Sequence, residues 1–307
     1  MTNAANNDIA FLKRDAIDDA LWNQAVKRSL NTLVYAYTYW LDAMNPGWCA
    51  LVYKNYDAIM PLPAKRKYGI KYLAQPAFTQ QLGIFSNEQL DNNFLKAFYS
   101  KAQQHFRFAE IGVNFIPQDN DIEYKRFKNY ELYLGKEYND IYGNYTSDCK
   151  RNLKRAAKFS LQYKTSTDTD KSLDLFYNSY KNKFPLKKDD VDVFKGLITG
   201  LAERNKAFVK EVIDKDTLLA SAVFVYESGR IYNLASSTLP AGRKKEATYF
   251  LFDELIKEFA VKPVAIDFEG SNIEGIEKFY QQFGAELKPY YFIKWNLLPR
   301  PLRFLKR

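Results

Sequence analysis

The chain has 307 residues, 47% hydrophobic and 26% charged, the balance of a folded globular protein and enough for two domains of about 150 residues each. Lys and Arg outnumber Asp and Glu by 45 to 36, and the formal charge of +9 favours anionic partners such as phosphates, RNA or a membrane surface; scattered lysines that keep the protein soluble are the plainer alternative. A single histidine, His105, and two distant cysteines, Cys49 and Cys149, argue against a His/Cys zinc site, a disulfide framework and a Ser-His-Asp or Cys-His mechanism. The chemistry therefore falls to Tyr, carboxylates, amines or backbone groups.

The start, MTNAANNDIA, lacks the basic residues and apolar run of a signal peptide, and the apolar stretch LVYAYTYWL (33–41) is shorter than the ~18 residues of a membrane span. A cytoplasmic protein with two buried free thiols is expected. In the first half, IAFLK (9–13) reads as a strand, helices fit about 17–28 and 36–44, and WCALVYK (48–54), DAIMPL (57–62) and IKYLA (70–74) are strands. Ser86-x-x-Gln89 reads as a capping box for a helix through about Gln104, with Leu90, Phe94, Ala97 and Phe98 inward. FRFAEIGVNF (106–115) and KNYELYL (128–134) are strands.

A basic helix then ends near Ser160, followed by the strand LQYKTST (161–167), helices at about 170–183 and 189–204, and a three-strand meander over 207–213, 217–227 and 230–236. A long helix from about Arg243 carries Ala247, Leu251, Phe252, Leu255, Ile256 and Phe259 on one stripe, with Asp253, Glu254, Lys257 and Glu258 opposite. VAIDF (264–268) is a short buried strand, 272–282 a helix, and ELKPYYFIKW (286–295) a last strand. The element order of the first half echoes that of the second.

Several of these segments carry a resemblance. In IDFEGSNIEGIEKFYQQFGAELKPYY (266–291), the run from Tyr280 to Gly284 resembles the Tyr-x-x-x-Gly-Phe segment of N-acyltransferases of the GNAT superfamily, with Ala285 in place of Phe. SDCKRNLKRAAK (147–158) resembles a basic element of FemAB-like proteins, and with Gly229–Lys245 and Asp267–Gly275 it points to that branch. PAFTQQLGIF (76–85), with Gln80 and Gln81, resembles the matching motif of the substrate lobe. The resemblance implies an α/β fold of two tandem GNAT-like acyl-CoA N-acyltransferase lobes, 1–142 and 143–307, each a mixed sheet flanked by helices. FemAB-like proteins move an aminoacyl group from transfer RNA to an amine of a cell-wall precursor, whereas more typical GNAT enzymes use acyl-coenzyme A. The implied co-substrate is thus acyl-CoA or aminoacyl-tRNA, with no tightly bound cofactor and no metal. The acceptor is a small-molecule or peptidoglycan-precursor amine, with tRNA rather than DNA as the nucleic-acid partner.

By the same resemblance, Tyr280 is the general acid that protonates a leaving thiolate; a core tyrosine is the competing reading. Asp267 and Glu269, two apart at a strand end, share one face and can receive an ammonium or act as base, or pair with nearby cations. The loop before the long helix cradles pyrophosphate in coenzyme A users. Here Arg243, Lys244 and Lys245 suit an anion, but Glu246 stands where a glycine is usual and Thr248 where a small residue is. Lys150, Lys154 and Lys158 line up with Arg151 and Arg155 on one helix face, opposite Cys149, Leu153, Ala156 and Ala157. Either an anionic ligand or solvent faces these cations. The basic, apolar tail LPRPLRFLKR (298–307) is compatible with peripheral contact to an anionic membrane or with a docked terminus. The expected activity is N-acyl or aminoacyl transfer with a donor other than ordinary acetyl-CoA. The rivals are a conventional acetyl-CoA-dependent enzyme and a noncatalytic anion-binding protein of the same fold.

Overall fold

The computed structural model describes residues 8–118, 122–183, 186–270, 274–301 and 303. The chain divides into unit 1, Met1–Phe127 with Pro289–Arg307, and unit 2, Lys128–Lys288. Unit 1 comprises β1 (Ile9–Lys13), α1 (Asp19–Arg28), α2 (Thr38–Met44), β2 (Cys49–Tyr53), β3 (Ala58–Leu62), β4 (Ala64–Lys67), β5 (Ile70–Ala74), β6 (Phe85–Ser86), α3 (Asn92–His105), β7 (Phe108–Val113) and β8 (Glu123–Phe127). Unit 2 follows with β9 (Tyr130–Tyr133), α4 (Tyr138–Gly143), α5 (Ser147–Ala156), β10 (Leu161–Ser166), α6 (Thr169–Tyr180), α7 (Lys188–Glu203), β11 (Ala207–Asp214), β12 (Thr217–Glu227) and β13 (Arg230–Thr238). It closes with α8 (Pro240–Lys244), α9 (Ala247–Phe259), β14 (Ala265–Asp267), α10 (Glu274–Gln282) and β15 (Glu286–Leu287), after which β16 (Tyr290–Asn296) returns to unit 1.

These units do not follow a cut at 142/143. The strand expected over 286–295 is two strands in two sheets: β15 pairs with β9, whereas β16 lies between β7 and β8. Pro289 sits at the break, where its missing N–H costs no ladder bond. The antiparallel order β1-β2-β3-β6 meets β7 through a parallel bridge from Leu82 to Val113, and β7 continues to β16 and β8. Unit 2 runs β10-β11-β12-β13 antiparallel, then β14 parallel, then β9 and β15 antiparallel. The sheet of β7 runs β4-β5-β7-β16-β8 with β5 parallel to β7, so unit 1 divides its strands between two sheets where unit 2 has a single sheet of seven.

All four tryptophans lie in unit 1 and are buried, each with its indole N–H bonded. Trp22 donates to Ala36 O at 2.7 Å, Trp40 to Thr79 Oγ1 at 3.0 Å, Trp48 to Asp42 Oδ1 at 2.8 Å, and Trp295 to Phe106 O at 2.8 Å. A buried indole is stable only when its polar end finds such a partner. In unit 2 the alternation along β12 sends side chains to two helical layers. Ser221 bonds Ser172 of α6 at 2.8 Å, while the Phe224 ring meets Phe252 of α9 edge-on at 6.1 Å.

Local readings shift in several places. Ser86 caps no helix: it belongs to β6, and Asp91 caps α3 by accepting from Phe94 N at 2.7 Å. Strands β4 and β8, AKRK and EYKRF, carry no apolar alternation and are mostly exposed, so their backbone pairing leaves no hydrophobic pattern to read. The helix expected from Arg243 is two helices, broken where Glu246 takes a left-handed backbone with φ of 56°. Asp253, assigned to that helix's solvent face, is buried and accepts from Tyr138 Oη at 2.8 Å. Ala157, assigned to the packing stripe of α5, is exposed just past the helix end. Cys149 is buried and Cys49 half-buried, both free thiols. Among the described residues, no helix is long and apolar enough to cross a membrane. Residues 271–273, where the helix expected over 272–282 begins, and most of the tail after Leu298 lie outside the described residues.

Because β16 is an interior strand of its sheet, Trp295→Ala is expected to cost about 3–5 kcal/mol. Urea unfolding followed by the fluorescence of the remaining tryptophans, all in unit 1, measures this directly. A loss under about 1 kcal/mol would show that β16 adds little to unit 1.

Candidate active site

The parallel strands β13 and β14 stay together for only three pairs, Arg230–Tyr232 against Ala265–Asp267. Beyond them β14 ends while β13 runs on to Thr238, so a wedge opens between the strands. The register of β13 against β12 also slips at Leu234, a bulge that re-aims the side chains on either side of it. The wedge is a cavity of about 340 Å³. Asn233, Ser236 and Thr238 of β13 line one wall, Phe268 and Glu269 the other, Phe279 and Tyr280 of α10 a third, with Phe176 and Tyr180 of α6 at the margin.

Tyr280 reaches this cavity from the last turn of α10, and Gly284, at φ of 78°, gives the chain the left-handed turn that follows. Its ring is buried and stacks on Phe268 at 4.7 Å. The Asn233 amide donates to its hydroxyl, and Ser236 Oγ holds the other end of that amide, Oδ1, at 2.5 Å. Burial raises the phenol pKa, the Glu269 carboxylate adds to the rise, and the Asn233 hydrogen bond opposes it. The phenol therefore keeps its proton at neutral pH.

Glu269 lies in a turn held at three points. Its N–H donates to Asp267 Oδ1 at 2.9 Å, Gly270 N donates to Asn129 Oδ1 at 2.7 Å, and Phe268 N to Tyr130 O at 3.0 Å. A Cβ at Gly270 would stand 2.1 Å from Lys128 O, so only glycine permits this approach. The turn puts Glu269 itself at φ of 60°, a strained conformation for a side-chain-bearing residue, and places it on the cavity wall. Burial pushes its pKa up to about 8.

Asp267 does not share that wall. It is buried and accepts from Arg230 Nη1 at 3.0 Å, and the same guanidinium donates to Glu131 of β9 at 2.5 Å. The left-handed step at Glu269 breaks the two-residue alternation that would put both carboxylates on one face. Asp267 is thus the structural pairing of the two readings open for it, and its second oxygen positions Glu269.

The α5 cluster and the loop before α9, separate in the sequence, meet here. Arg155 Nη1 lies 3.3 Å from the Glu246 carboxylate, and Asn152 of α5 hydrogen-bonds Tyr249 of α9. The Tyr249 hydroxyl in turn donates to Gln282 at 2.9 Å. Lys245 is paired with Asp214, while Arg243 and Lys244 are exposed. Within α5, Lys150 donates to Gly143 O at 3.0 Å and Arg151 pairs with Asp148 at 2.6 Å. Lys154 and Lys158 are exposed and, among the described residues, have no ion-pair partner. The five cations therefore do not act as one face: Arg151 and Arg155 are paired with carboxylates, and among the described residues Lys150, Lys154 and Lys158 are not.

Gln80 and Gln81 stand in unit 1, in the loop that follows β5. Gln81 is buried and donates to Gln80 Oε1 at 2.9 Å, and a Cβ at Gly112 would come within 2.5 Å of Gln80 O. The loop is pressed onto β7, with Gln75 accepting from Gly112 N at 2.6 Å. His105 stacks on Phe11 at 3.9 Å. Asn233 and Ser236 join the site without a motif to single them out, although an amide amid the apolar run of β13 is itself an uncommon feature of a strand interior.

The pKa of Glu269 has a consequence for stability. An unfolded glutamate gives up its proton near 4.5, whereas the folded one holds it to about 8, so Glu269 lowers stability progressively as pH rises through that window. The stability gain of Glu269→Gln over the parent should therefore grow from about pH 5 to pH 8 and level off above. Thermal melts across that range test this, and a constant difference would place Glu269 in a water-like setting.

No protein-family model matches the chain, and no curated protein matches it in sequence. Solved structures do match in fold. FemX superposes with a TM-score of 0.67 at 12% identity over 97% of this chain and 99% of its own. L-PGS from Bacillus licheniformis gives 0.53 at 10% identity, over 94% of each chain. A tandem GNAT protein from the clavulanic acid biosynthesis pathway gives 0.51 at 10%, over 95% of this chain and 99% of its own. The chain therefore has the fold of FemX and of the tandem GNAT protein.

Proposed function

We propose that the protein is a transferase that moves an acyl or aminoacyl group from an ester or thioester to a substrate amine. The observation that carries this is the wedge between β13 and β14, where a protonated phenol and a carboxyl with pKa near 8 line one cavity. The two groups suit the two proton transfers that the reaction needs. Glu269 in its ionised form takes a proton from the attacking amine. Tyr280, with Asn233 aligning its oxygen, gives one to the departing thiolate or alkoxide. The wedge also bares the inner edge of β13, whose backbone groups can hold an extended donor. Most of the acceleration comes from holding amine and carbonyl together.

Tyr280→Phe is expected to lower kcat by roughly 10²-fold or more while shifting the melting temperature little, because the ring stays on Phe268. Equal loss of turnover and stability, or none of turnover, returns Tyr280 to a packing role. With Glu269 as base, kcat/KM should rise with pH through about 8, and Glu269→Gln should abolish that limb.

For the donor we favour an aminoacyl-tRNA or another large phosphate-bearing ester over acetyl-CoA, and for the acceptor a small or cell-wall-precursor amine. The likeness to FemX and L-PGS supports this, as does the surface at the start of α9. There a side chain occupies the left-handed position at Glu246, which crowds the backbone approach that a pyrophosphate needs. Lys154 on α5, Lys158 just past its end, and Arg243 and Lys244 on α8 are exposed. Neutralising Lys154 and Lys158 should weaken tRNA binding and reduce its salt dependence by about two charges. A saturable thermal shift with acetyl-CoA, lost on changing Arg243, would instead make the protein a conventional N-acetyltransferase.

A further inference from the structure

Unit 1 holds a larger cavity, about 1040 Å³, to which no residue of the proposed transfer site contributes. It opens beside two sheet edges: β1 is the outermost strand of one sheet and β4 the outermost strand of the other. Phe11, half-buried and backed by the His105 ring, gives it an accessible aromatic surface, while Trp48 and Phe106 are fully buried behind the lining. Lining it too are Lys13 at the end of β1, Lys65 and Arg66 on β4, and Lys71 on β5, all exposed.

The charges of the lining are not balanced. Arg14 is taken up by Asp42 at 2.5 Å and Asp19 at 2.7 Å, which also accounts for two of the three carboxylates. Among the described residues, Lys13, Lys65, Arg66 and Lys71 have no ion-pair partner, and Asp15 alone is left to oppose them. Arg66 and Lys71 are direct cross-strand partners in the β4–β5 ladder, a like-charge pair that destabilises a hairpin unless an anion bridges it. Lys13 and Lys71 both act electrostatically on the Cys49 thiol, and Lys71 also on His105, two further residues of the lining. Lysines on an edge strand can serve simply to block edge-to-edge pairing. That role needs neither a like-charge pair directly opposite nor a cavity beside it.

We propose that this cavity binds an organic phosphate, its apolar or aromatic body lying against Phe11 and its phosphate held by Lys13, Arg66 and Lys71, the last two on one face of the β4–β5 ladder. A guanidinium fork with an ammonium group directly across the ladder suits a doubly charged tetrahedral anion better than a single carboxylate. A cavity of about 1040 Å³ has the size of a small-molecule site, and its charged lining suits an ionic ligand. The inference stands apart from the transfer reaction, since the residues of the two cavities do not overlap.

Calorimetric titration of the full chain with adenosine 5′-monophosphate and with hexyl phosphate tests it, each against its phosphate-free parent, adenosine or hexanol, and both against inorganic phosphate. At least one organic phosphate should bind saturably, its parent should not, and inorganic phosphate should bind roughly ten-fold more weakly or worse. Which of the two binds identifies the body as a nucleoside or an alkyl chain. Arg66→Gln combined with Lys71→Gln should weaken that binding roughly ten-fold or more. The same double variant should leave the ligand-free melting temperature unchanged or higher, because it removes the opposed pair. Glu269→Gln should leave binding intact. Three outcomes overturn the proposal: no saturable binding of either compound, binding unaffected by the double variant, or inorganic phosphate binding as tightly as the organic compounds.

Discussion

Two parallel strands that part after three residue pairs are the constraint on which the rest of unit 2 depends. While β13 and β14 run together, Tyr232 and Asp267 share a register and the sheet is continuous. Once β14 ends, its chain must turn away, and the hydrogen bonds that it no longer supplies to β13 leave a backbone edge facing a hollow. The turn is held by Asp267, Asn129 and Tyr130, and Gly270 fits against Lys128 where no other residue could. The conformational cost of a left-handed Glu269 is sustained by these fixed bonds. It places a carboxyl where burial raises its pKa into the range useful for accepting a proton from an amine.

The ion pairs divide into two roles. Arg230 sits between Asp267 and Glu131, joining β13, β14 and β9 across the sheet, and so holds the root of the wedge. Arg155 reaches from α5 to Glu246 at the start of α9 and neutralises the carboxylate that would otherwise oppose an anion. This second pair is more than half exposed on its arginine side and adds little to stability; its effect is on the local field at a helix N-terminus. A residue that looks hostile to phosphate in the linear sequence is therefore compensated by one that lies 91 positions away in the chain.

Elements with strong periodicity are legible in the amino-acid sequence. The meander over β11–β13, the apolar stripe of α9 and the strand before Asp267 all lie near their predicted places, because each pattern reflects burial on one side. Strands β4 and β8 are not legible, since they are held by backbone ladders and carry charged, exposed side chains. The helix start expected at Ser86 is displaced because Asp91, five residues on, offers an equally good cap while Ser86 pairs with β3. Tyr280 and Glu269 can be nominated from chemistry and resemblance. Asn233 and Ser236 cannot, because a bulge at Leu234 decides which side chains of β13 face the wedge.

By itself the sequence determined the alternation of sheets and helices, a content of one histidine and two cysteines, and the tyrosine and carboxylates available for proton transfer. These follow from composition and local period, which every residue carries with it. Only the tertiary structure decided which carboxylate faces the cavity, because that choice turns on one left-handed residue and on Arg230, whose partners come from β9 and β14. It alone also sent residues 290–296 into the sheet of unit 1, since nothing in an alternating strand states which of two sheets it will complete.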